Sequence, residues 1–91
     1  MSKIRPRLAV RLFAEEMERR LRENDHKCGW EGCRPDWLFA RLIEEAGELA
    51  IALTEGAHKR AIIHEAADVA NFAMMIANNP VVAGLDGEVK P

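Results

Sequence analysis

The chain lacks most of the features that announce a function at first reading. It has no bulk basic charge to hold nucleic acid: 13 Lys and Arg stand against 15 Asp and Glu, a formal net charge of −2. No uninterrupted apolar stretch is long enough to cross a bilayer. The N-terminal segment Met1 to Arg7 is basic but leads into a charged amphipathic run, so it is not read as a signal peptide, and a cytoplasmic protein is expected. Internal repeats, a Gly-rich phosphate loop and strand-type alternation are all missing. Cysteine is scarce. With His26 and a distant His58 or His64, Cys28 and Cys33 would supply half of a zinc site. No second Cys pair accompanies them, so two free thiols in a loop are the preferred reading, and a disulfide is not required.

What is present reads as helix. The 91 residues are 48% apolar and 31% charged, an ordinary globular composition for one domain spanning 1–91. In residues 7–24, Val10, Phe13, Ala14, Met17 and Leu21 recur at helical spacing, and Pro6 suits the start. Glu15, Glu16, Glu18, Arg19 and Arg20 on this run are read as a solvated face. Residues 25–34 hold two glycines, two cysteines and Trp30 and form a loop. A second helix opens at Pro35 with Asp36 beside it, and ends at Glu55-Gly56 near residue 54. Gly47 in its middle costs about 1 kcal/mol relative to Ala, which hints at close approach of another helix or a ligand. A third helix spans 58–78, stopped by Asn78-Asn79-Pro80, and 79–91 is expected to be a mobile arm.

Two acidic clusters organise the second and third helices. With Leu38 as zero and about 100° per residue, Leu42, Glu45, Leu49 and Ala52 fall within roughly 40° of one line. Glu45 therefore lies in the apolar stripe, and Glu48 at its edge. On the third helix, Glu65 falls among Val69, Phe72 and Ile76, while Asp68 is flanked by Phe72 and Met75. Carboxylates in a buried stripe are costly unless paired, protonated or bound to a metal. No equally regular set of Lys or Arg accompanies them, so a cation is expected. Oxygen-only ligands favour Mg²⁺, Mn²⁺ or Ca²⁺, and Mg²⁺ sites are commonly completed by substrate phosphates. The competing reading is that Glu44, Glu45 and Glu48 are solvated charges paired with Arg41 or with a partner. A di-iron bundle fits less well, because the one Glu-x-x-His string, Glu55 to His58, straddles a helix break.

Glu44-Glu45-x-x-Glu48, sixteen intervening residues, then Glu65-x-x-Asp68 resembles the pattern of the MazG-like all-α nucleoside triphosphate pyrophosphohydrolases. The resemblance covers the second and third helices, and extends to the Lys27-x-x-Trp30 loop and the first helix. It implies a three-helix subunit forming a four-helix-bundle-like core in a homodimer or homotetramer. It also implies Mg²⁺-dependent cleavage of a nucleoside triphosphate between the α- and β-phosphates, with Mn²⁺ as a substitute ion. The metal ligands it implies are Glu45, Glu48, Glu65 and Asp68. Glu44 or Glu48 would receive the proton of the attacking water.

Around this centre, Asn71 is read evenly as a sugar or phosphate contact or as a buried polar bond. Trp30 and Trp37 are candidates for base stacking, with core packing preferred. Lys27 is a further substrate-binding candidate. Lys59 and Arg60 would offset phosphate charge, solvated surface being the preferred reading of both. No nucleic-acid or membrane partner is expected. The alternative to an enzyme is a non-catalytic helical dimerisation module whose cation site is structural or vestigial.

Overall fold

The computed structural model describes residues 3–25 and 29–82, and all regular structure among them is helical. The first helix, α1, spans Leu8–Glu23, α2 spans Pro35–Thr54 and α3 spans Lys59–Ala77. Each boundary falls within one residue of the sequence expectation. Among the described residues, no helix is long and apolar enough to cross a membrane.

Local chemistry explains the ends. Pro35 occupies the first turn of α2, where its missing N–H costs nothing, and the Asp36 carboxylate accepts from the Trp37 backbone N–H at 2.8 Å. At the other end Gly56 takes φ +67°, the left-handed conformation open to glycine. Its N–H donates to Leu53 O at 3.3 Å while Ala57 N–H donates to Ala52 O at 2.9 Å, the paired bonds of a Schellman stop. His58 caps α3, its Nδ1 accepting from Ala61 N–H at 3.3 Å.

Beyond α3 the expected arm begins differently. Asn79 is buried: its Nδ2 donates to Cys33 O at 2.7 Å and its Oδ1 accepts from Val81 N–H at 2.9 Å. Residues 80–82 turn helical with Asn79 as their N-cap and Pro80 in first position, the placement each residue favours. The remainder of the expected arm, 83–91, lies outside the described residues.

The packing is thin. The α2–α3 pair forms the main interface, and α1 rests chiefly on α3. Among the described residues Leu38 and Ala67 are the fully buried apolar ones, and α1 contributes none. Leu42, Leu49 and Ala52 are half-buried along the line of Leu38, as the periodicity predicts. The adjacent α2 face is open to solvent: Phe39, Ile43 and Ile51 are each more than half exposed, as are Leu8, Val10 and Leu12 around α1. Gly47 differs from expectation. A Cβ built there meets nothing within 4 Å, so no close approach among the described residues requires the glycine.

Candidate metal centre and adjoining cavity

The α2–α3 interface carries the acidic residues. Glu45 comes from the buried stripe of α2, and Glu65 and Asp68 come one turn apart from the facing side of α3. One carboxylate oxygen from each can be chosen so that all three lie within 4.8 Å of one another. Cis ligands about Mg²⁺ are about 3 Å apart at ideal bond lengths of about 2.1 Å, so a small inward movement would complete a shared site. Glu48 is exposed and falls outside this trio, yet its charge acts on both Glu45 and Glu65. Glu44 is exposed and faces Arg41, to which it is ion-paired.

The electrostatics are those of a crowded acidic site. Burial, then repulsion from Glu48 and Asp68, pushes the Glu45 carboxyl above the ordinary carboxylate value, and Arg41 only partly offsets this. Glu65 is raised by the same causes, against a weaker pull from Arg20 and His64. Arg41 Nη2 donates to Glu45 Oε2 at 3.2 Å, and its guanidinium lies 5.3 Å from the centroid of the Phe72 ring.

Arg20 corrects the reading of α1 as bearing only solvated charge on its polar face. Its Nε donates to Asp68 Oδ1 and its Nη2 to Asp68 Oδ2, both at 2.9 Å, while Nη1 donates to Glu23 at 2.6 Å. The bonds to Asp68 raise the Arg20 pKa further above its ordinary value. A cation therefore does accompany the acidic set, from a helix that sequence spacing does not connect to it. The available signal was angular: Arg20 lies about 60° from Met17, at the margin of the apolar stripe of α1. Glu16 is likewise drawn inward, accepting from Arg60 across the α1–α3 contact and from Arg19 at 3.0 Å. Arg60 is thus ion-paired while remaining exposed, as the solvated-surface reading expects.

A cavity of about 580 Å³ adjoins the cluster. That volume is in the range of small-molecule sites. Asp68, Arg20, Arg41 and Asn71 line it, together with Trp30 and Trp37. Trp37 is 52% exposed, so it is not a core residue. Trp30 is half-buried, and its indole N–H donates to Asn78 Oδ1 at 3.3 Å. Asn71 is 97% buried: its Nδ2 donates to Met17 O at 3.0 Å, and its Oδ1 has no hydrogen-bond partner among the described residues. Lys59 is an exposed residue at the start of α3 and does not line the cavity. Lys27 lies outside the described residues, as do His26 and Cys28. The trio contains neither Cys nor His; Cys33 is a free thiol and His58 is a helix cap. No protein-family model matches this chain, no curated protein matches it, and no solved structure matches it.

Proposed function

We propose that the protein is a Mg²⁺-dependent nucleoside triphosphate pyrophosphohydrolase, converting a (d)NTP and water to the (d)NMP and pyrophosphate. The observation that carries this reading is that Asp68 belongs both to the carboxylate trio and to the wall of the cavity. A ligand in that cavity would bring phosphate oxygens to the same place as a cation held by Glu45, Glu65 and Asp68. The donor set fits a hard divalent ion: every ligand atom is oxygen, and two of the three carboxyls are raised first by burial and then by acidic neighbours whose repulsion a cation would offset. The resemblance of Glu44-Glu45-x-x-Glu48 and Glu65-x-x-Asp68 to the MazG-like pattern supports the same chemistry.

In this reading the residues divide the work by position. Glu45, Glu65 and Asp68 would hold the ion, which would supply charge neutralisation for the triphosphate and lower the pKa of an attacking water. Glu48, exposed beside the trio, accepts the proton from that water; Glu44, held by Arg41, is less free to do so. Arg20 and Arg41 bring positive charge to the cavity wall, and Trp30 and Trp37 offer flat apolar surfaces to a base. The test is pyrophosphate release from a mixed (d)NTP pool with Mg²⁺, with and without EDTA, for the wild type and Glu48→Gln. Release that requires Mg²⁺ and falls at least a hundredfold in the variant is expected. No release from any triphosphate refutes the assignment.

A cytoplasmic homodimer or homotetramer is the assembly that fits. Phe39, Ile43 and Ile51 on α2 leave an apolar face that three helices do not cover, and four-helix association would bury it. Light scattering at micromolar concentration should give at least twice the monomer mass of 10.2 kDa. Ile43→Glu should shift the protein toward monomer. The second reading, a non-catalytic helical module, is favoured by one observation, the two-bond Arg20–Asp68 pair that already compensates part of the cluster.

A further inference from the structure

We propose that Arg20 is an exchangeable occupant of the acidic cluster, holding Asp68 in the state described here and passing to an anionic group of the ligand when a divalent cation takes Asp68. The inference rests on the metal reading above and goes beyond it, by assigning α1 a part in ligand capture. Arg20 donates to both Asp68 oxygens, so a cation that claims Asp68 must displace at least one of these bonds. The pair lies on the wall of the cavity, with side-chain exposures of 26% and 17%, where a ligand can reach it. The cluster remains under-compensated with Arg20 in place: three carboxylates stand with one oxygen each within 4.8 Å of one another, Arg20 reaches Asp68, Arg41 reaches Glu45, and Glu65 accepts no hydrogen bond among the described residues. A divalent ion offers more charge at the same point. The guanidinium fork that matches a carboxylate also matches a phosphate, so a displaced Arg20 keeps equivalent bonds by turning to one.

Asn71 supplies an independent sign that this place receives a ligand. It stands one turn beyond Asp68, and its bond to Met17 O anchors α3 to α1 one turn before Arg20. Nδ2 gives one N–H to that bond, while the acceptor Oδ1 is buried and has no partner among the described residues. A buried acceptor without a donor is costly. A ligand hydroxyl or ring N–H can satisfy it, and a phosphate oxygen cannot. The ligand class is therefore one with an anionic group for Arg20 and a neutral donor for Asn71, as in a phosphorylated nucleoside.

The test is calorimetric titration of MnCl₂ into metal-free wild type, Arg20→Gln and Asp68→Asn, followed by pyrophosphate into each protein with saturating Mg²⁺. Removing a positive charge that competes for Asp68 should tighten Mn²⁺ binding about tenfold in Arg20→Gln, about the worth of one charge-assisted hydrogen bond. Pyrophosphate binding should weaken by about the same factor. If wild type binds Mn²⁺, Asp68→Asn does not, and Arg20→Gln equals wild type, the exchange is wrong while the metal site stands. If wild type takes up no Mn²⁺, both fail. Should Arg20→Gln not fold, the Arg20 Nε–H resonance of wild type decides. It should be protected from exchange in EDTA and lose that protection on addition of Mg²⁺ and pyrophosphate, and an unchanged resonance overturns the proposal.

Discussion

Neutralising two neighbouring carboxylates should change stability in opposite directions. Asp68 receives two charge-assisted bonds from Arg20, and both side chains are largely shielded from solvent. Asp68→Asn keeps the shape but leaves the guanidinium facing an amide. Exposed pairs are worth about 0.2–1 kcal/mol and breaking fully buried ones costs about 3–5 kcal/mol. This pair lies between, so a loss of about 1–2 kcal/mol is expected, a fall in Tm of roughly 5–10 °C for a domain of this size. Glu65 accepts no hydrogen bond among the described residues, and its carboxyl is raised by burial and by Glu48 and Asp68. Glu65→Gln therefore removes repulsion and should leave Tm unchanged or a few degrees higher. Thermal melts in EDTA at one fixed protein concentration provide the comparison, since self-association would make Tm concentration-dependent. If Glu65→Gln lowers Tm as much as Asp68→Asn, both carboxylates are structural ion-pair partners and the strained-cluster argument fails.

Three further outcomes follow from local structure. Gly47→Ala should stabilise the fold by up to about 1 kcal/mol, because a helix-interior glycine is replaced where a Cβ meets no neighbour; a destabilised variant in a urea titration would place another subunit against Gly47. Asn79→Ala should cost about 2 kcal/mol by the same titration, since it removes both an N-cap bond and the donor to Cys33 O. The third concerns pH. Glu45 and Glu65 titrate above 4.5 in the folded state, so between 4.5 and their raised values the folded form binds more protons than the unfolded form. In EDTA, stability should therefore rise as pH falls from neutral through that window. Glu16 and Asp36 are lowered by their Arg60 and Arg34 partners, and their contribution is lost only on further acidification. Tm measured from pH 7.5 to 5 in EDTA and in excess Mg²⁺ should show the rise only in EDTA, and a monotonic fall in both would refute it.

The helices were legible because their determinants are local. Pro35, Asp36 and Gly56 act through bonds reaching at most a few residues, and the line Leu38–Leu42–Glu45–Leu49 follows from helical repeat alone. That line also gave the burial of Glu45, an acidic residue among the least exposed of the described chain. The same angular argument put Glu65 and Asp68 on one face of α3, because residues three apart must share a side.

What the local pattern did not contain is which charges meet across helices. Arg20 and Asp68 are 48 positions apart, and Arg60 and Glu16 are 44 apart, so no periodicity relates them. Whether α1 lies where Arg20 can reach α3 depends on how the three stripes pack. Long flexible arginines then find the nearest uncompensated carboxylate. Asn79 was read only as part of a helix stop, and its burial depends on the 29–34 loop folding back to offer Cys33 O. Gly47 failed in the other direction: the backbone cost of a glycine is visible in sequence, but the neighbour that would explain it is a tertiary fact, and among the described residues there is none. Local pattern was enough to specify three helices and which of their faces carry acid. Tertiary packing decided that Glu45, Glu65 and Asp68 converge beside a cavity, that Glu48 stays outside the trio, and that an arginine already holds one member, because convergence depends on helix placement, which no single helix encodes.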